Sequence, residues 1–257
     1  MNGEIKQASG IVISARKALL QNTEIDFTPN KHELSIQFLF APKFLCRKPV
    51  KANSVYEWFH ICLHRDLKDV KIMIPSNRDN KHLLGFANTS QCVIVCYWKN
   101  GRISFFRPFW EYDQEKEGWI IIYNEQFVKK HPVFINLHFT DKTDEFKQTL
   151  LDIGKFAAVI EQPYFADVFH NAYESLCGSE TIEDDNIPKQ LPNDFKSIYY
   201  AVDKADVFCA MGSWNDSPLW YAGNKGLLKE YNELSNSLIV QVRYHLMYVT
   251  NACWKKH

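Results

Sequence analysis

His60, Cys62 and His64, in the string HICLH, stand at i, i+2 and i+4, so an extended backbone puts all three on one face. Cys92 and Cys96 share a face in the same way on a strand expected to lie beside it. Imidazole and thiolate donors of this kind suit zinc. Their spacing is not that of a finger or ribbon, where a tight turn delivers paired ligands. Cysteine is also among the most buried residue types, and a helical VYEWFHICLH would split the set. No metal is favoured at these positions, and no cofactor is expected.

A second stretch gathers costly side chains. AMGSWNDSPLWYAG, residues 210–223, holds Trp214, Asn215, Asp216, Trp220 and Tyr221 between two helical patterns. Gly212 can end a helix, Asn215 and Asp216 can bond within a turn, and Pro218 can start a helical turn, so the stretch reads as an ordered connector. Trp and Tyr join a large apolar body to a polar handle. They either plug the end of a helical bundle or grip a ligand. Left exposed, these five residues would be the leading contact surface.

Catalytic signatures are missing. The chain has no Gly-x-Ser-x-Gly, no phosphate-binding glycine loop and no helical His-Glu-x-x-His. Glu111, Asp113, Glu115 and Glu117 cluster where a hairpin loop is expected, and solvation accounts for them. Two basic stretches, KFLCRKPVKAN and HRDLKDVKIMIPSNRDNKH, interleave cations with apolar residues as a nucleic-acid surface does. Neighbouring Asp66, Asp69 and Asp79 favour solvated surface instead. Asp203 or Asp206 on one helix can pair with Lys225 or Arg243 near another, a structural role.

The elements that position these residues follow from periodicity. Ile5, Ala8, Val12, Ala15 and Leu19 step by three and four, predicting an N-terminal helix. Leu34, Ile36, Phe38 and Phe40 alternate as a strand does. From Cys92 to Asn124, runs of Val, Ile, Phe, Tyr and Trp flank Asn100-Gly101, whose types suit a two-residue hairpin turn, and a charged loop before WIIIY. Another strand is expected in PVFINLHFT after Pro132. Beyond about residue 141 the period becomes helical in segments starting near Thr143, Pro163, Asn193 and Leu227. The fold class is therefore α+β: an antiparallel meander of about five or six strands, then a bundle of about four helices on or beside it. Residues 1–140 make the sheet region with its helix, and 141–257 the helical region with a linker at 178–193, as one compact unit.

Composition bounds the function. The chain has 257 residues, 46% hydrophobic and 14% aromatic, enough for a sizeable core with aromatic contact surface. Seven scattered cysteines and no basic-then-apolar leader point to a reducing, cytosolic setting. Net charge is zero, yet residues 1–140 hold 19 Lys and Arg against 13 Asp and Glu, and residues 141–257 hold 11 against 17. The reading favours a non-catalytic cytosolic protein-binding module, of the kind exemplified by a bacterial regulator or a toxin-neutralising protein. Its partner is a protein or a second copy; a membrane is not expected and nucleic acid is disfavoured. The alternatives are a hydrolase with a cleft between sheet and bundle lined by Trp214, Asp216, His170 or His245, and a nucleic-acid-binding protein.

Overall fold

The three-and-four spacing of the first segment does make a helix, α1 (Gly3–Gln21), with Ile5, Ala8, Val12 and Ala15 fully buried. The computed structural model describes residues 1–42, 50–75, 87–128, 137–178, 182, 184–208 and 212–254. Next come β1 (Glu33–Leu39), β2 (Lys51–Ala52), α2 (Val55–His64), β3 (Leu67–Met73), β4 (Val93–Trp98), β5 (Ile103–Asp113) and β6 (Gly118–Phe127). Five helices follow: α3 (Thr143–Val159), α4 (Pro163–Cys177), α5 (Asn193–Ala205), α6 (Ser217–Asn224) and α7 (Leu228–Ala252). Among the described residues no helix is long and apolar enough to cross a membrane.

The overall class is α+β, with two corrections. The sheet is mixed, in the order β2-β1-β6-β5-β4-β3. The antiparallel meander holds for β3 to β6, but β1 pairs parallel with β6, Ile36 opposite Ile121 and Phe38 opposite Tyr123. Alternation reports which face a residue takes and carries no strand direction, so the parallel pairing left no local mark. The second correction concerns helices: seven lie among the described residues, where about four were expected. VYEWFHICLH is α2, because i and i+4 share a face on a helix as well as on a strand. The strand expected after Pro132 falls mostly outside the described residues, and 137–140 is irregular.

Two compact units result. The sheet unit is Glu4–Ile74, Gln91–His138 and Thr250–His257. Its core is an aromatic stack on the sheet's inner face. Phe38 lies between Trp58 of α2, at 4.9 Å, and Tyr123 of β6, at 4.8 Å, with Phe106 edge-on at 5.7 Å. The buried Tyr123 hydroxyl donates to Gln7 of α1 at 2.8 Å, so α1 and α2 both cover this face. Ser54 starts α2 by accepting from the Glu57 amide, and Glu57 in turn accepts from the Asn53 amide.

Turns set the register. Gly101 alone of the Asn100-Gly101 pair has positive φ, 78°, and its amide donates to Trp98. The turn is thus a β-turn ending in a left-handed glycine, one step longer than the expected two-residue form. At the next hairpin, Asp113 accepts from the Glu115 and Lys116 amides.

The helical unit is Met1–Gly3, Pro75–Ser90 and Phe139–Val249. Phe146, Leu150 and Ile153 of α3, Phe165 and Phe169 of α4, Val202 of α5 and Leu238 and Val242 of α7 form its core. Lys142 is the N-cap of α3 and makes no side-chain cap bond; Asp141 before it accepts from both the amide and the hydroxyl of Thr143.

Gly118 and Gly154 should answer alanine oppositely. A Cβ on Gly118 would lie 2.6 Å from Leu34 Cγ and 2.9 Å from the His32 carbonyl, so Gly118→Ala is expected to cost about 1–3 kcal/mol. On Gly154, inside α3, the Cβ meets only ordinary contact at 3.6 Å, so Gly154→Ala should stabilise by about 0.5–1 kcal/mol. Urea denaturation of each variant measures both signs.

Candidate functional site

Trp214 is fully buried, and its surroundings explain its cost. Its ring stacks on Tyr231 of α7 at 5.6 Å and meets Phe165 and Phe169 of α4 edge-on, each at 5.2 Å. The indole N–H donates to Ser235 at 2.8 Å, and the Tyr231 hydroxyl donates to the Trp214 carbonyl at 2.7 Å. Burial pushes the Tyr231 phenol up to about 12, so that hydroxyl stays a donor. Trp214 therefore pins the connector to two helices and offers no surface.

The rest of the connector diverges from it. Asp216 accepts from the Gly212 amide at 3.0 Å, and Gly212 has φ 75°, closing a tight turn. The Asn215 amide donates to Ser213 at 3.3 Å. Trp220 is 62% exposed on α6, with Tyr221 edge-on at 5.0 Å. His170 is exposed beside Glu174, while His245 is buried and bonded to the Gln241 carbonyl. The side chains named for a hydrolytic cleft are thus engaged separately.

The thiol and imidazole set is likewise split. His60 meets Glu24 at 2.7 Å, His64 is exposed, Cys62 is buried against Cys96, and Cys92 is buried. Burial pushes the Cys62 thiol well up, so it stays protonated and unreactive. Among the described residues no group of three or more His, Cys, Asp and Glu is placed to hold a metal ion.

Two features escaped the sequence reading. Glu125 continues the inward series Ile121, Tyr123, Glu125 of β6 and is buried. Its carboxylate accepts from Ser104 at 2.8 Å and the Ala41 amide at 3.0 Å, and faces Arg65 at 3.7 Å. Desolvation raises its pKa; every contact is accounted for within the core, and period two alone would have flagged it. The expected pairing of Asp206 with Arg243 is present, at 3.7 Å with both side chains buried, while Lys225 bonds Glu161 at 2.8 Å instead.

The second feature is the outward face of β5, β6 and β1. Phe105, Arg107, Phe109 and Glu111 point away from the buried Phe106 and Trp110. Phe109 stands opposite Ile122, which aligns with Gln37, and Glu111 stands opposite Ile120, which aligns with Ser35. Phe109 is 52% exposed, and Phe105, Ile120, Ile122 and Leu39 are half-buried around it. Arg107 lies 5.9 Å from the Phe105 ring. Arg107, aligned with Asn124 and Leu39, lies between Phe105 and Phe109, so this face mixes apolar and cationic contacts around the Phe109–Ile122 pair. No family model, curated protein or solved structure matches the chain, so its residues alone carry the reading.

Two outcomes follow. Trp214→Ala should destabilise by about 3–5 kcal/mol, whereas Trp214→Phe, which keeps much of the apolar body but strands the buried Ser235 hydroxyl, should cost about 1–3 kcal/mol in thermal unfolding. His245, stacked on Phe146 at 4.7 Å, is held below its ordinary 6.5 by burial. The unfolded chain takes the proton first, so the stability from this group is present above pH 6.5 and is lost as pH falls below it. The acid slope of stability should be shallower in His245→Gln.

Proposed function

We propose that the protein is a non-catalytic binding module that docks an acidic protein partner on the outward face of β5, β6 and β1. The observation that carries the reading is the exposed Phe109 in register with Ile122 of β6, beside Ile120 on the same strand, with Phe105 and Leu39 on the same face beyond the Arg107–Asn124 row. Isolated exposed apolar residues need no explanation, but Phe109, Ile122 and Ile120 are neighbours on two paired strands and share one apolar surface. Charge supports the choice of partner. The sheet unit holds nineteen Lys and Arg against twelve Asp and Glu, a net +7 that would steer an acidic surface toward it.

The engagement of the proposed hydrolytic side chains in separate structural contacts favours binding over catalysis. Trp220, exposed on α6 beside the half-buried Tyr221, supplies an alternative contact that the same experiment can separate.

Affinity capture from the native host, comparing the wild-type chain with Phe109→Asp/Ile122→Lys and with Trp220→Ser, tests the proposal. Both variants change exposed or half-exposed positions and should leave stability within about 0.5 kcal/mol. The expected result is loss of a salt-sensitive, acidic partner with the sheet-face variant alone. Retention of the same partners by that variant, or their loss only with Trp220→Ser, overturns it.

A further inference from the structure

The sheet unit also contains a groove of about 520 Å³ that shares no residue with the apolar cluster. Its walls carry four cations, Arg16, Lys68, Lys71 and Lys99, against one carboxylate, Asp69. Like charges converging on a concave surface repel one another and focus a positive potential, which an anion relieves. The four are differently placed to receive one. Arg16 is buried and tied to Asp69 and to the carbonyls of Val70 and Cys253, so it contributes a fixed field rather than a moving contact.

Of the lysines, Lys68 and Lys99 are exposed donors, and Lys71 is held at the wall by partners of its own. Lys99 pairs with Asp66 at 3.2 Å, but the two side chains are 67% and 70% exposed, and a solvated pair of this kind yields readily to a competing anion. Lys71 donates to the Leu137 carbonyl at 3.0 Å and lies 5.4 Å from the Tyr97 ring, which holds its stem in place. Lys68 is exposed and forms no ion pair among the described residues. An ammonium has three donors and acts on phosphate as a point charge.

The remaining wall has a different character. Leu19 and Leu20 of α1, Leu67 of β3 and the Trp254 indole, with Lys17 Nζ 5.7 Å over its ring, line it and give a flat apolar body somewhere to rest. A volume of this size, with a few convergent charges and an apolar wall, matches a small-molecule site. We infer that the groove binds a small phosphorylated molecule carrying a planar group, its phosphates held by Lys68, Lys71 and Lys99 and its ring laid against Trp254.

Calorimetric titration of the purified full chain with ADP, inorganic pyrophosphate and a short single-stranded oligonucleotide tests this. The wild type should bind ADP and pyrophosphate saturably and more weakly as salt rises. Lys68→Glu/Lys99→Glu should weaken both by about tenfold or more, since each charge-assisted bond accounts for roughly that factor. Lys229→Glu, exposed on α7, should leave both unchanged. Trp254→Ala should weaken ADP and spare pyrophosphate. Absence of saturable binding, equal loss in Lys229→Glu, or an oligonucleotide bound far more tightly than ADP would overturn the inference. A Trp254→Ala chain that binds ADP as the wild type does would remove the planar group from it.

Discussion

A guanidinium cannot shed its charge, so burying Arg16 obliges the chain to bring it acceptors from distant segments. Asp69 and the Val70 carbonyl arrive on β3, and the Cys253 carbonyl arrives from just past α7. These contacts tie α1, β3 and residues 250–254 together within the sheet unit. Once they form, Asn251 sits beside Ile72, accepting from its amide at 2.8 Å and donating to its carbonyl at 2.9 Å. The cationic groove is a by-product of the same geometry, because α1 and β3 form its walls. Arg16 is buried while Asp69 is 36% exposed, so solvent screens the pair and loss of the carboxylate costs less than the about 3–5 kcal/mol typical of a fully buried one.

The helical unit uses a parallel device with the emphasis reversed. Its Arg243 and Asp206 are both buried at 3.7 Å, a geometry that adds little net stability but leaves a large penalty for any packing that separates them. Trp214 adds direction to the apolar contacts around it. Helices with Phe and Leu at three-and-four spacing can slide past one another, whereas an indole bonded to Ser235 and a carbonyl bonded to Tyr231 select one arrangement.

Much of this was legible in the residues. Period two marked β1, runs of β-branched and aromatic residues around turn signals marked β4, β5 and β6, and period 3.6 marked α1, α3, α4, α5 and α7. What local spacing does not carry is partnership. β1 lies beside β6 and runs parallel to it, a pairing across about eighty residues that no window of sequence records. For α2 the spacing leaves helix and strand open, because His60 and His64 share a face in either, and Trp58 and Phe59 on its buried side add no further discrimination. The site divided in the same way. Trp214 was recognisable as either a plug or a grip, and only its four neighbours on α4 and α7 decide between them. Lys68 and Lys71 stood in plain view within a basic stretch. Their convergence with Arg16, more than fifty residues earlier, is a product of the fold.

The clasp between Asn251 and Ile72 has one more consequence. Among the described residues β3 is the outermost strand on its side of the sheet, and an outermost strand offers unpaired amides and carbonyls to any extended chain that approaches. A carboxamide that occupies both groups of Ile72 interrupts that ladder at its centre, as a neighbouring strand would. On the opposite border β2 is only two residues long. Both borders are thereby blunted against edge-to-edge growth and fibril nucleation, a safeguard that a sheet so rich in Val, Ile and Phe requires.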